Sequence, residues 1–100
     1  MTEVENLAGA DLPKRVFLLQ NYPNPFNAAT AISYQLPRSG HVRLEVYDLL
    51  GQRIDTLVDA RQQAGHRKVV WNATAFPSGV YFYKLTAGGF SDMNRMILLK

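Results

Sequence analysis

Apolar and polar residues alternate with a period of two along most of the chain after residue 15. The alternation is clearest at residues 42–47, where branched apolar residues are separated by Arg43, Glu45 and Tyr47. Successive side chains of a β-strand point to opposite faces, so this pattern predicts a strand with one buried face. Similar patterns predict strands within residues 16–19, 32–36, 53–59, 68–71, 80–86 and 90–99.

Turn-forming residues separate these segments at nearly regular intervals. Pro37 stops one predicted strand, Ser39-Gly40 and Gly88-Gly89 form turns, and Gly51 lies in a short hairpin loop at residues 48–52. We assign Gly51, and Gly79 in a longer loop at residues 72–79, to turn geometry, and expect valine at either position to lower stability. About seven short strands with this spacing, and no sustained helical stripe, predict an all-β antiparallel sandwich.

The same periodicity predicts which aromatic residues are buried. Trp71 alternates with Val69 at core spacing, and Tyr81, Tyr83 and Leu85 form one face of their strand. Val80 and Phe82 then share the opposite face with Lys84. We expect a neighbouring loop to cover that pair, the alternative being an apolar strip open to a partner.

Residues 1–15 differ from the rest of the chain in their pattern of apolar and polar residues. They show no periodicity, they contain Gly9 and Pro13, and their carboxylates are Glu3, Glu5 and Asp11. We read residues 1–15 as a linker to an absent upstream domain and residues 16–100 as one folded domain. The acidic start is unlike a secretory signal, and no apolar run is long enough for a membrane span, so we expect no membrane insertion.

The amino-acid composition excludes several classes of function. The 100 residues are 47% hydrophobic and 19% charged, with a net charge of +3 and no cysteine. Those values fit a globular module and exclude a disulfide scaffold, a thiolate metal site and a cysteine nucleophile. The basic residues are spread singly along the chain, which favours solvated strand faces over nucleic-acid binding.

The chain offers little catalytic chemistry. His41 and His66 each follow a turn glycine without another ligand three or four residues away, and no serine lies in a nucleophile elbow. Glu45 and Asp48 are close in sequence, but a small sandwich without long loops provides no cleft around them. We therefore expect no catalytic residues, no metal and no cofactor.

Asn21, Asn24 and Asn27 recur every third residue beside two prolines. Three side-chain oxygens in one loop could bind calcium, but the run lacks carboxylates, and asparagine beside proline also suits a structural turn, which we favour. Tyr22 and Phe90 are candidate surface aromatics for sugar binding, as is Tyr47, but they are too scattered in sequence to define a platform.

Two runs resemble the C-terminal sorting domain of type IX secretion. The first is the signature turn, Tyr22-Pro23-Asn24-Pro25-Phe26-Asn27, and the second is Ser78-Gly79-Val80-Tyr81-Phe82-Tyr83-Lys84-Leu85. Their order, the intervening 42–48 segment, and the apolar ending at Lys100 extend the likeness over residues 17–100. Ala28 departs from the pattern, since relatives often carry proline there.

The resemblance implies an immunoglobulin-like fold, similar to a domain of the flagellar hook-capping protein. It implies a non-catalytic module that directs a covalently linked upstream cargo from the periplasm across the outer membrane, to the cell surface or beyond. Its partners would be the type IX translocon and a sortase-like peptidase, which in that family can remove the domain and join the cargo to a surface anchor. Residues 8–16 lie where such a cut would fall.

The last strand is our candidate for recognition by the translocon, either by its shape or by β-augmentation at its edge. We expect the sorting residues to be Met96, Ile97, Leu98, Leu99 and Lys100. Two other functions remain open, a carbohydrate-binding appendage of a secreted glycoside hydrolase and an Ig-like structural spacer. Sorting is favoured because the motif ends at Lys100.

Overall fold

The computed structural model describes residues 15–100 and contains seven β-strands. In chain order these are β1 (Phe17–Leu18), β2 (Ala29–Leu36), β3 (Gly40–Tyr47), β4 (Arg53–Gln62), β5 (Gly65–Asn72), β6 (Gly79–Ala87) and β7 (Phe90–Leu98). The linker expected at residues 1–15, and most of the cleavage region at residues 8–16, lie outside the described residues.

The strands form two sheets that pack as a sandwich. One sheet has three strands in the order β1-β2-β5, and the other has four in the order β4-β3-β6-β7. Every pair of neighbouring strands is antiparallel. The predicted all-β antiparallel sandwich of about seven strands is confirmed, and residues 15–100 contain no helix that could cross a lipid bilayer.

The strand boundaries differ from the prediction mainly around β4 and β5. The strand predicted within residues 53–59 continues to Gln62, and the strand predicted within residues 68–71 already begins at Gly65, so two residues connect them. Arg61 still pairs with His41 across the sheet. Polar side chains are compatible with this position because β4 is an edge strand with one side open to solvent.

The core lies between the two sheets and is centred on aromatic side chains. Trp71 is 1% exposed, and its ring contacts those of Phe26, Phe76 and Tyr81 at centroid distances of 5.9, 5.5 and 5.5 Å. Its indole N–H donates to the Asp55 carboxylate of the opposite sheet at 2.9 Å, so the polar end of the ring is satisfied. The predicted burial of Trp71, Tyr81, Tyr83 and Leu85 is confirmed.

Val80, Phe82 and Lys84 form the other face of β6, as the alternation predicts. All three are half-buried rather than fully covered. Phe82 lies between Tyr47 of β3 and Arg95 of β7 in the register of the sheet. Part of the cover comes from neighbouring strands, since side chains directly opposite one another on a sheet are in contact. The β3–β4 loop also lies beside this face, because Asp48 and Leu49 line depressions that include Val80, Phe82 and Lys84.

Candidate functional site

The signature turn, residues 22–27, connects β1 to β2 at one edge of the three-stranded sheet. Tyr22 exchanges two backbone hydrogen bonds of 2.9 Å with Ala31, which extends the pairing of β1 and β2 by one bridge. Both proline bonds of the turn, Tyr22-Pro23 and Asn24-Pro25, are cis. Within this turn the chain leaves the ladder and crosses towards the other sheet, where Phe26 forms a bridge with Leu98.

A buried polar network holds the base of this turn. Asn21 and Thr30 are each only 2% exposed. The Asn21 amide donates to the Pro23 carbonyl at 3.1 Å and to the Thr30 hydroxyl at 3.0 Å, and that hydroxyl donates to the same carbonyl at 2.8 Å. Because buried polar groups are costly unless paired, this closed set of bonds fixes the conformation of the turn.

Tyr83 links this network to the second family motif. Its phenolic oxygen accepts the Asn21 backbone N–H at 2.8 Å and donates to the Leu19 carbonyl at 2.8 Å. Burial raises the pKa of the Tyr83 phenol above its ordinary value of 10.0, so the hydroxyl stays protonated and able to donate. The second motif therefore bonds directly to Leu19 and Asn21, in the segment that leads into the signature turn.

The turn then runs along the outer edge of the last strand. Phe26 donates its backbone N–H to the Ile97 carbonyl at 2.9 Å and accepts the Leu99 N–H at 2.8 Å, which makes a short parallel bridge. Asn24 accepts the Ile97 N–H on its side-chain oxygen at 3.0 Å. Gln20 donates its amide to the Arg95 carbonyl at 2.8 Å.

These contacts correct one expectation from the sequence. The edge of β7 was expected to be open to β-augmentation, but the Arg95 carbonyl, both backbone groups of Ile97 and the Leu99 N–H already bond to residues 20–26. Further along the same edge, the Met93 N–H donates to the Asp92 carboxylate at 2.9 Å. An added strand would have to displace the signature turn first.

The expected sorting residues divide into buried and exposed groups. Met96 and Leu98 belong to the core, whereas Ile97 is half-buried and Leu99 is 56% exposed. Lys100 is exposed, but its backbone N–H bonds the Ser78 hydroxyl at 2.9 Å and its ammonium bonds the Thr74 carbonyl at 2.6 Å. Only Ile97, Leu99 and Lys100 can present side chains to a partner.

The signature turn presents mostly polar and proline surface. Phe26 is buried against Trp71, and the side chains of Tyr22, Pro23, Asn24, Pro25 and Asn27 are exposed. Asn21 and Asn24 use their side chains in hydrogen bonds within the protein, which supports the structural role over calcium binding. Among residues 15–100 there is no group of three or more His, Asp or Glu side chains suited to a metal ion.

The two glycines differ in what their backbone requires. Gly51 has a φ of +84° in the β3–β4 loop, a conformation that favours glycine. Gly79 opens β6 and is not in the left-handed region, and a Cβ added there would lie 4.0 Å from the Tyr81 ring, an ordinary contact. Turn geometry therefore explains Gly51 but not Gly79.

The carboxylates considered for acid–base chemistry have structural partners. Glu45 is buried and accepts hydrogen bonds from Tyr47 and from Arg53, both at 3.0 Å. Asp48 accepts the backbone N–H groups of Leu50 and Gln52, which closes the β3–β4 loop. Both carboxylates therefore have structural roles, Glu45 through Tyr47 and Arg53, and Asp48 through its Oδ1 atom.

Comparison with known proteins agrees with the motifs. A structure search finds the crystal structure of dimeric latent PorU from Porphyromonas gingivalis, with a TM-score of 0.67 and 16% identity. The match covers 84% of this chain but 9% of that one, so this chain corresponds to a small part of that protein, and the likeness shows the fold alone. Among curated protein sequences, none matches. The model of the family described as "Secretion system C-terminal sorting domain" matches residues 20–99, and this chain belongs to that family.

Proposed function

We propose that this domain directs an upstream cargo protein across the outer membrane by type IX secretion, with transit through the periplasm and delivery to the cell surface or the medium. The observation that carries the proposal is the contact between the signature turn and the last strand, in which residues 20–26 cover the edge of β7. The most distinctive family motif and the end of the chain thus form one folded unit. A translocon that recognises both parts together would bind the folded domain.

Recognition by the translocon would then depend on shape and side chains instead of strand addition. Ile97, Leu99 and Lys100 are the members of the last strand whose side chains reach the surface. Leu99 is a large apolar side chain that is 56% exposed, and its burial against a partner would remove apolar surface from water. We propose these three residues as the contact with the translocon.

Removal of the domain belongs to the same proposal. A sortase-like peptidase would cut within residues 8–16 and transfer the cargo to a surface anchor. The last residues of that range immediately precede β1, which begins at Phe17. A cut there would leave the sandwich intact, because every strand lies on its C-terminal side.

A secretion assay tests the proposal directly. The domain is fused behind a reporter in a bacterium with a type IX system, and surface delivery is measured by protease accessibility of the reporter on whole cells. The fusion should be delivered, and the double variant Leu99→Ser, Lys100→Ser should be retained although it folds. Val70→Ser, at an exposed apolar position of the other sheet, is the matched control and should be delivered.

The outcomes separate two claims. Failure to deliver the unaltered domain would overturn the sorting function. Normal delivery of the Leu99/Lys100 double variant would overturn the contact residues and leave the sorting function standing. Deletion of residues 96–100 is a weaker test, because it also removes Met96 and Leu98 from the core.

A further inference from the structure

Charge is distributed unequally between the two sheets. The five carboxylates of residues 15–100 are Glu45, Asp48, Asp55, Asp59 and Asp92, and each lies on the four-stranded sheet or its β3–β4 loop. The three-stranded sheet and the turn within it carry none between Arg15 and Leu36 or between Gly65 and Asn72. One face of the domain is therefore cationic although the net charge is small.

The outer face of the three-stranded sheet has a shallow trough. The register places Gln35 between Phe17 and His66, because Phe17 pairs with Gln35 and Gln35 with His66. Two residues further along β2, Ser33 lies between Leu19 and Lys68. The Leu19 N–H donates to the Ser33 carbonyl at 3.0 Å. Ser33 and Gln35 form the floor of a depression of about 360 Å³, with larger side chains on both sides.

The two walls of the trough differ in chemistry. Leu19 lines the apolar side of the depression, and Phe17, 42% exposed, and Tyr22, 79% exposed, continue this apolar wall beyond it on the same face of the sheet. Tyr22 lies opposite Ala31 and so extends this wall about 13 Å along β2 from the Phe17 row, at roughly 3.3 Å per residue. The other wall carries the exposed side chains of His66 and Lys68.

We propose that this trough binds an anionic polysaccharide, specifically a chain that contains uronic acids. Lys68 and His66 would bind the sugar carboxylates, and no described carboxylate on this sheet would repel them. Tyr22 and Leu19 would pack on the apolar C–H faces of the pyranose rings, since aromatic side chains combine a large apolar surface with a polar tip. The Ser33 hydroxyl and the Gln35 amide on the floor would bond the sugar hydroxyls.

Two other kinds of ligand fit this surface less well. An extended peptide gains affinity from backbone hydrogen bonds at a sheet edge, but β2 is the central strand and is paired on both sides at Ser33 and Tyr34. Single-stranded nucleic acid needs successive free aromatic rings for stacking. The Phe17 ring already faces the Arg15 guanidinium at 5.8 Å, which leaves Tyr22 alone on this wall.

Titration of the full chain with oligogalacturonate, measured by calorimetry, tests the proposal. We expect binding that weakens as salt increases. Lys68→Glu should weaken binding by at least about tenfold, because it removes a charge-assisted hydrogen bond and adds a carboxylate that repels the anionic sugar. Tyr22→Ala should weaken binding at every salt concentration. Arg95→Glu makes the same change in net charge on the four-stranded sheet and should bind as the unaltered chain does.

Three results would overturn the proposal. The first is absence of binding at millimolar oligogalacturonate, and the second is equal loss of affinity in Lys68→Glu and Arg95→Glu, which would indicate unspecific attraction. The third is tighter binding of an oligothymidylate or of an acidic peptide of the same charge. Circular dichroism of each variant shows that the sandwich is intact, so a loss of affinity reports on the trough. The result is independent of the secretion assay.

Discussion

The phenolic oxygen of Tyr83 accepts the backbone N–H of Asn21 at 2.8 Å and joins positions 62 residues apart. Tyr83→Phe keeps the ring but leaves a buried N–H without its acceptor. We expect the free energy of unfolding to fall by about 1–3 kcal/mol, as measured by urea titration. Tyr22→Phe, at an exposed position, should change it by less than about 0.5 kcal/mol. Equal effects of the two substitutions would contradict the assigned role of Tyr83.

High pH should destabilise the domain through the same residue. Burial raises the pKa values of Tyr34 and Tyr83 above 10.0 in the folded chain. As pH rises through about 10, the unfolded chain loses these protons before the folded chain does. The contribution of the two tyrosines to the free energy of unfolding is therefore fully present below about pH 10, and it is lost as pH rises towards the folded pKa values. The loss should be smaller in Tyr83→Phe, which urea titrations at about pH 9 and pH 11 would measure. A parallel loss in both proteins would assign the effect to other groups.

Asn24 should protect the edge of the last strand from pairing with another chain. Its side-chain oxygen accepts the Ile97 N–H at 3.0 Å, so Asn24→Ala leaves that edge group open to another chain. We expect stability to fall by about 1 kcal/mol and self-association to increase with concentration, as followed by sedimentation velocity. Asn27→Ala, in the same turn with an exposed side chain, is the matched control and should stay like the unaltered domain. A monomeric Asn24→Ala variant of unchanged stability would show that Phe26 alone protects the edge.

Gly51, in the β3–β4 loop, and Gly79, the first residue of β6, should respond differently to substitution by alanine. Gly51→Ala places a side chain at a φ of +84° and should cost about 1–2 kcal/mol. Gly79→Ala meets only an ordinary contact with Tyr81 and should change stability by less than about 0.5 kcal/mol. Thermal unfolding of the pair separates them, and a larger loss at Gly79 would reverse this assignment.

The secretion role of the last strand has its own prediction. A fusion that carries Leu99→Ser and Lys100→Ser should fold with a melting temperature close to that of the unaltered domain, because Leu99 bonds Phe26 through its backbone. Its reporter should nevertheless remain inaccessible to protease on whole cells. A melting temperature far below that of the unaltered domain would assign the retention to unfolding instead of lost recognition.

The strands and their buried faces are predictable from the order of apolar and polar residues. Alternation at positions such as Val42 and Leu44, or Tyr81 and Tyr83, indicates burial because the direction of a side chain along a strand is a local property of the backbone. The signature turn and the sorting family were also recognisable from residues that are contiguous in the chain. The expected behaviour of Gly51 followed from its loop alone.

The contacts between these segments, in contrast, depend on how the two sheets pack. That Asn24 bonds Ile97, 73 residues away, and that the edge of β7 is covered, depend on how the two sheets are placed. The sequence also did not predict that the carboxylates of the described residues lie on one sheet. They are spread singly along the chain, and the strand order of the fold places them on the same sheet. Hydrogen bonding and electrostatics act between neighbours in space, and in an antiparallel sandwich those neighbours are mostly distant in sequence.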